Sequence, residues 1–546
     1  MCKADDFNLV DDEWIRARYL TGEVRELSLL ELFHDAPNIA SLANDLPTQD
    51  FAILRMLLAI VERAVMKRLD GDEDPAEVWL GLWQKEQLPL KEIEEYLGEW
   101  RERFDLFDDS APFMQVAGMH TSKNDVAGVS KIIADVPDGY PFFTMRSSSG
   151  AESLSFAEAA RWVIHAHAFD TAGIKSGVVG DPSVKGGKSY STGYPGWAGV
   201  IGGLFVEDCS LAKTMLANLV LWDSWANRDE LLPFDDKPAW ERDPGTPGDN
   251  YREPRGFADL YTWQSRRILL SQDDGRVTGV VLTNGDKIDP YNRQSLEPMT
   301  AWRRSPNQEK KLGISPVYWP IAHKLDKAFW RSLSSVLPLG TANEADIIPP
   351  GIVSWIGYLQ DRGLYPRDRS VRLHAVGMEY GTQNSVVTEV FDDVLDANSF
   401  ILSQAGKDAN VLIRDVLART DSAVYAYGSF AVNLRIASGD EDRLGGIRRN
   451  AQAEAYYEFD AIFRAWLAGL TPDSDLLEED RNWNRVARGL LAGKARNMIR
   501  QIDSRAITGH KGKAGWMTAA KAESVFYKKL DELMPRVDME REGGNG

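Results

Sequence analysis

Cysteine is almost absent from this chain: Cys2 and Cys209 are the only two in 546 residues. A disulfide framework and a four-cysteine zinc site are thereby excluded. Histidine is sparse as well. The closest pair, His165 and His167 in ARWVIHAHAFD, stands two residues apart; on a helix such positions face nearly opposite ways and cannot share a metal. No H-E-x-x-H or G-x-S-x-G motif occurs, and no convergent pair of carboxylates stands out. An enzyme acting on an acidic or sugar-like substrate is suggested only by the many tryptophans and carboxylates. A catalytic reading therefore has no positive support, and no metal and no cofactor is expected. No run approaches the ~20 apolar residues of a membrane span. The opening MCKADDFNLVDDEW is acidic and lacks the apolar core of a secretion signal, so a cytoplasmic protein without membrane association is expected. Positive charge is in the minority, with 63 Lys and Arg against 82 Asp and Glu, a formal net charge of −19. Taken alone, that total argues against a free-standing nucleic-acid binder, because an acidic surface repels phosphate.

Apolar residues, at 43% of the chain, suffice for a large core and two or more domains. FNLVDDEWIRARYLTGEVRELSLLELF reads as strand, turn at Thr21-Gly22, strand and short helix. LPTQDFAILRMLLAIVERAVMKRL reads as a buried helix capped by Thr48 or Asp50, with Leu54, Leu57, Val61 and Val65 on one face. Further helix is expected over 76–104, a hairpin over 266–284 with its turn at Asp274-Gly275, and a helix over 319–337 between Pro320 and Pro338. After about residue 400 four amphipathic segments follow, 407–437, 451–470, 482–505 and 515–534. Tyr456, Phe459, Phe463, Trp466, Leu467 and Leu470 recur at helical spacing in the second; Trp516, Val525, Phe526, Leu530 and Leu533 do so in the fourth. The expected fold class is α+β: a large mixed N-terminal domain, residues 1–400, followed by a C-terminal four-helix bundle, residues 401–546.

Charge is unevenly spread. Residues 70–108 are densely acidic, whereas residues 481–513 hold nine Lys and Arg and one acid, Asp503. In the basic stretch Arg481, Arg485, Arg488, Arg496 and Arg500 share roughly 120° of helical arc, provided Gly489 and Gly493 do not break the helix. Glycine is concentrated in VVGDPSVKGGKSYSTGYPGW, residues 178–197. Gly187-Lys188-Ser189 resembles the end of a phosphate-binding P-loop, but Pro182 occupies the position of the leading glycine. The following Tyr190–Gly196 contains two glycines and a proline and cannot open the helix such a site requires. The glycines remain suited to close approach of backbone to another molecule.

The opening Phe7–Ile15, then LPTQD, then RFDLFDDSAPFMQV and GMEYGTQNSVVTEVFDDVL (Gly377–Leu395) resemble, in order and spacing, the CasA family. AEAYYEFDAIFRAWL fits that family's C-terminal bundle. CasA proteins are the large subunit of the type I-E CRISPR Cascade surveillance complex. The resemblance spans nearly the whole chain. It implies a non-catalytic subunit of a guide-RNA-directed assembly that reads a short protospacer-adjacent motif (PAM) in the minor groove of duplex DNA. Such a subunit wedges the strands apart to start R-loop formation and helps recruit the helicase–nuclease. The implied partners are the guide-RNA-bound backbone and small subunits, double-stranded target DNA, and that nuclease.

The family reads the PAM with a glycine-rich loop, a lysine and a glutamine-tipped wedge. Lys185, Gly186, Gly187 and Ser189 are the candidate loop, with Gly193 and Gly196 as the fallback. Gln383 matches the wedge glutamine, flanked by Thr382 and Asn384 in a polar turn. Lys287 is the nearest match to the groove lysine, and Arg293 competes with it. A loop anchoring the subunit at the guide 5′ end corresponds to residues 143–147, with Phe143, Arg146 and Ser147. The bundle arginines 481, 485, 488, 496 and 500 suit DNA backbone. Some relatives carry a cysteine cluster near the 266–284 hairpin; this chain has none, so no metal role is expected there. The alternative is a protein–protein scaffold of the same fold that reads no DNA.

Overall fold

Alternation and turn chemistry decide the start of the chain. Ile15–Tyr19 and Val24–Leu27 pair antiparallel, and Ile39–Leu42 joins the far side of the first strand. Gly22 adopts φ 90°, which the turn requires and glycine permits. Helix Leu29–Asp35 opens on a capping box, the Ser28 hydroxyl accepting from the Glu31 amide and the Glu31 carboxylate from the Ser28 amide. The computed structural model describes residues 6–67, 74–136, 152–190, 193–221, 235–248, 251–338, 346–513 and 515–536.

Pro47–Met66 forms a helix buried on nearly every side, not on one face alone. Neither Thr48 nor Asp50 caps it. Pro47 starts it instead, having no amide hydrogen to satisfy. Asp50 accepts from the Asn44 amide and side chain, and Thr48 Oγ1 lies 3.0 Å from His165 Nε2. His165 and His167 sit on helix Phe156–Phe169, the latter with Nε2 2.8 Å from the Met114 carbonyl. Burial pushes their pKa values down to about 3 and about 4, so both are neutral packing groups. Among the described residues no cluster of His, Cys, Asp and Glu could hold a metal ion.

Residues 76–104 are helical in pieces, Pro75–Lys85 and Leu90–Glu99 with a short turn Arg101–Phe104; the first ends on left-handed Glu86 and Pro89 precedes the second. Arg266–Asp273 and Arg276–Asn284 form the expected hairpin. Asp274 at φ 49° and Gly275 at φ 71° make the type I′ turn whose twist suits two strands. A three-stranded sheet has the order Val387–Asn398, Ser370–Tyr380, Gly203–Glu207. Residues 319–337 are not the expected helix. Tyr318–Pro320 is a strand and Phe329–Ser335 a short 3-10 stretch. Tertiary bonds claim the segment: His323 Nε2 lies 2.9 Å from the Gly203 carbonyl, and the Phe329 amide donates to Asp393.

The chain divides into two compact units, one of Met1–Phe329, Leu339–Tyr365 and Val371–Leu395, the other of Trp330–Pro338, Pro366–Ser370 and Asp396–Gly546. The second unit holds four long helices, Lys407–Ala437, Leu444–Gly469, Leu476–Arg500 and Ala519–Leu533. Phe459, Phe463 and Trp483 fill its core, and the Trp483 indole donates to Thr420 Oγ1 at 3.0 Å. The third helix runs unbroken through Gly489 and Gly493, capped by Asp475. The fourth begins at Ala519, capped by Thr518. Ahead of it lies a two-stranded ribbon, His510–Gly512 with Gly515–Met517, whose second strand replaces the start of the helix expected from residue 515.

Candidate nucleic-acid interface

The Lys-Gly-Gly-Lys run is a tight turn. The Lys185 amide donates to the Lys188 carbonyl at 3.0 Å and the Lys188 amide to Lys185 at 3.1 Å. Gly186 and Gly187 adopt φ 59° and 74°, again type I′, and no atom would lie within 4 Å of a Cβ on either. Backbone sign, not crowding, demands glycine at both. Lys185, Gly186, Gly187 and Lys188 are exposed. No helix follows, in agreement with the exclusion of a P-loop. Ser189 is different: it is fully buried, and its carbonyl and hydroxyl accept from Asn284 Nδ2 at 3.1 and 3.2 Å. It anchors the turn from beneath and offers nothing to an outside ligand.

Thr382-Gln383-Asn384 forms the tip of the hairpin between Ser370–Tyr380 and Val387–Asn398, closed by the Gly381 amide donating to Val386. Thr382 and Gln383 are exposed. Gln383 and Asn384 stand at φ 58° and 54°, a left-handed conformation that costs a residue with a Cβ roughly 1–2 kcal/mol. Strain of this kind collects where a side chain is needed in a fixed place.

One short connection joins these parts. After helix Phe156–Phe169, the chain Phe169–Ser176 receives or makes bonds to each. The Tyr380 hydroxyl, at the foot of the tip, donates to the Phe169 carbonyl at 2.6 Å. The Ala172 amide donates to the Asn384 carbonyl at 2.8 Å, and Asn384 Nδ2 donates to the Gly193 carbonyl at 3.0 Å. The Gly196 amide donates to the Asp170 carbonyl at 2.9 Å. Lys175–Ser176 pairs with Lys188–Ser189, the return arm of the glycine turn. Asp170 is the centre. Its carboxylate takes Arg266 Nε at 2.5 Å and Lys175 Nζ at 2.7 Å, while Arg266 also donates to the Asp170 and Thr171 carbonyls. Burial works to raise the Asp170 pKa, but Lys175 and Arg266 overcome it and hold the group below the usual carboxylate range. Asp170, Lys175, Arg266 and Tyr380 carry no motif. The one trace in the sequence is a pair of arginines opening an apolar strand, both of which prove buried.

Gly196 is buried, and a Cβ there would stand 2.5 Å from the Ala168 carbonyl carbon and oxygen. Its glycine serves helix packing, whereas Gly193, at φ 89° with open space around it, is exposed. Trp197, next to Gly196, is locked by its indole donating to Glu297 at 2.6 Å. Glu297 is held in turn by both terminal nitrogens of Arg55 at 2.7 and 2.9 Å. Tyr194 lines two clefts, one with half-buried Lys287 and one of about 630 Å³ with Tyr380 and Asn384. Lys287 therefore shares a wall with the glycine segment. Arg293 is engaged by Glu253.

On the third bundle helix Arg481, Arg485, Arg496 and Arg500 are exposed. The first two lie 3.8 and 3.6 Å from Glu478, and Arg496 and Arg500 have no ion-pair partner among the described residues. Arg488 is removed from the stripe, since it grips Asp531 and donates to the Met534 carbonyl at 2.9 Å, fastening the fourth helix to the third. Phe143, Arg146 and Ser147 lie outside the described residues. A buried carboxyl pair, Glu62 and Asp236, does exist. Asp236 accepts the Ala258 and Asp259 amides at 2.8 Å, and burial pushes it up to about 6 and Glu62 well above its usual range. With 3% and 0% exposure the pair meets no substrate. A separate cleft of about 390 Å³, lined by Ser385, Val386 and Asp170, offers no free carboxylate from Asp170, whose charge is already paired with Lys175 and Arg266.

Residues 8–493 match the family model described as CRISPR-associated protein Cse1. The chain belongs to the CasA/Cse1 family. The crystal structure of Cse1 from Thermobifida fusca is 39% identical, with a TM-score of 0.87 over 97% of this chain and 98% of that one. CasA/Cse1 of Thermus thermophilus is 28% identical over 376 residues, 67% of each chain. A chain of a CRISPR RNA-guided surveillance complex shares the fold of this Cse1 protein at 16% identity, with a TM-score of 0.66 over 97% of this chain and 100% of that one.

Proposed function

We propose that this Cse1 protein is the PAM-reading, strand-opening subunit of a guide-RNA-directed surveillance complex, and that it is not an enzyme. One observation carries the reading: Asn384, next to the exposed Gln383, bonds to Gly193 and to Ala172, so wedge tip and glycine segment form one hydrogen-bonded piece. The minor groove is only ~6 Å wide and its hydrogen-bond pattern is degenerate. A turn with no side chain at its two central positions enters such a groove with little steric cost, and Lys185, Lys188 and Lys287 meet phosphate and groove edge. Thr382, Gln383 and Asn384 enter beneath the PAM. Unstacking a base step costs a few kcal/mol, while the later exchange of DNA pairing for guide pairing is nearly balanced. A local push at the first step therefore suffices. Phe143, Arg146 and Ser147 anchor the subunit near the guide and the neighbouring backbone and small subunits. Arg481, Arg485, Arg496 and Arg500 contact DNA backbone, and the opened complex recruits the helicase–nuclease.

The test is target capture by the guide-loaded assembly on duplexes differing only in the PAM. Gln383→Ala and the pair Lys185→Ala/Lys188→Ala are expected to leave assembly intact and to lower capture. Unchanged capture would leave a scaffold that reads no DNA.

A further inference from the structure

The ribbon ahead of the fourth bundle helix carries chemistry that strand opening does not use. Lys511 stands opposite Trp516 and His510 opposite Met517. Opposed residues of an antiparallel pair share a face, and successive pairs point to opposite faces. The His510 and Gly512 face lies toward the first bundle helix, although His510 keeps solvent exposure: a Cβ on Gly439 would lie 3.6 Å from the His510 ring, and one on Gly512 would lie 2.8 Å from Ile436. That side rests on the end of the first bundle helix, and its neighbouring acid, Glu441, lies there too. Lys511 and Trp516 are left on the outer face.

Trp516 is 56% exposed. Its indole nitrogen donates to the Thr508 carbonyl at 3.2 Å, and its own carbonyl accepts from Lys521 at 2.9 Å. The ring is thus held by one edge in a fixed orientation. Lys511 and Lys513 are exposed and have no ion-pair partner among the described residues. The acid before the ribbon, Asp503, is taken by Arg505 at 2.8 Å. A pinned aromatic face beside unspent ammonium groups suits a strand whose bases are unpaired, because a base face stacks on the indole while phosphates meet the lysines. A duplex hides its base faces and would use the lysines alone.

We infer that the Lys511–Trp516 ribbon is a docking site for single-stranded polynucleotide. This goes beyond wedge and PAM reading and rests on separate residues. Strand separation generates such a ligand in the displaced DNA strand, and a guide supplies it as RNA.

The experiment uses the full chain and fluorescein-labelled oligo-dT and oligo-rU of about 20 nucleotides, with a blunt duplex of the same length as control. Trp516→Ala is expected to weaken oligo-dT binding about five- to tenfold, the low end for one base stacked on an aromatic, and to spare the duplex. Trp516→Phe should keep most of the affinity. An oligonucleotide bearing 5-iodo-deoxyuridine should photo-cross-link to the tryptic peptide 514–521. Stronger effects on oligo-rU than on oligo-dT assign the site to guide RNA; equal or smaller ones assign it to the displaced strand. Tyr457→Ala, at an exposed aromatic outside the ribbon, should leave oligonucleotide affinity unchanged; because the readout is single-strand binding and not PAM-dependent capture, failure here and failure of the wedge reading are separable. Unchanged affinity of Trp516→Ala for both oligomers overturns the inference. So does an equal loss on the duplex, or a cross-link elsewhere with a loss only of subunit assembly. Because the side chain lies outside the core, far-UV circular dichroism is expected to be unaltered.

Discussion

Replacing Gln383 with glycine separates the stability of the wedge tip from its work. Gln383 holds φ 58° in the left-handed region, at a cost of roughly 1–2 kcal/mol for a residue with a Cβ. Glycine removes that cost but gives the unfolded chain more freedom, which returns about 0.5–1 kcal/mol. The net change is between zero and about 1.5 kcal/mol of added stability. In a chain this long that corresponds to a melting shift of no more than about 2 °C. The exposed amide loses no intramolecular contact that stabilises the fold. If the amide enters the duplex, the variant should be as stable as the parent and yet open DNA poorly. A loss of ~1.4 kcal/mol at the first base step is tenfold in the equilibrium, so capture of an intact PAM duplex by the guide-loaded complex should fall about tenfold or more. A target whose first pairs beside the PAM are mismatched should restore capture to within about threefold, because the opening cost is already met. Gln383→Asn, which tolerates the same backbone, should fall between. Equal capture of intact duplex by Gln383→Gly and parent would refute the wedge, as would a loss that the mismatched target does not rescue.

Gly196→Ala forces a methyl to 2.5 Å from the Ala168 carbonyl. Backbone must move, so chemical denaturation should show about 1–3 kcal/mol of destabilisation; an unchanged midpoint would contradict the close packing. Arg55→Met strands the Glu297 carboxylate in the core and should cost about 3–5 kcal/mol, most of it recovered in the double variant with Glu297→Leu. His374 lies between Asp392 at 2.6 Å and Glu207 at 3.0 Å. Burial opposes its charge, but those two partners outweigh burial and push its pKa up to about 9. A raised folded pKa stabilises fully below the unfolded value of about 6.5 and loses that contribution as pH rises through 9. The parent should therefore lose up to about 3 kcal/mol of stability between those limits, seen as a falling melting temperature, and His374→Gln should lose less over the same range. On the bundle, Arg488→Gln should lower stability with little change in the salt dependence of DNA binding. Arg496→Gln with Arg500→Gln should leave stability alone and reduce the salt slope by about one per phosphate contact removed.

Legibility followed the range of the interactions involved. The first bundle helix was readable to its ends, Lys407–Ala437, because a long helical repeat is local information. The hairpin turn at Asp274-Gly275 was readable because only certain residues accept its backbone angles. Residues 319–337 misled because bonds from His323 to Gly203 and from Phe329 to Asp393 reach across more than sixty positions in sequence. Trp516 read as part of the helical face expected over 515–534, when it sits in the second strand of the ribbon, Gly515–Met517, because its apolar spacing also fits the helix that follows. At the candidate interface, Gln383 and the Lys-Gly-Gly-Lys turn could be named in advance. Their connection through Phe169–Ala172 could not, because it consists largely of main-chain carbonyls and amides that any residue supplies. Arg488 shows the same limit on a helix surface: it shares the arc of Arg481 and Arg485, and only the fourth helix beside it reveals that its charge is spent.

The net charge of −19 then takes on a definite meaning. At physiological salt a charge is felt over about 8 Å, so a phosphate seated at Lys185 and Lys188 responds to those two lysines and not to acids elsewhere on the surface. Contact is locally favourable while approach from bulk is not assisted. Few phosphate contacts also mean a shallow counterion-release gain. On the proposed reading, such a chain would hold duplex DNA weakly, with a salt slope no steeper than its few phosphate contacts allow. On that reading target search would fall to the assembly that supplies guide pairing, and a false site would be released before its strands are opened.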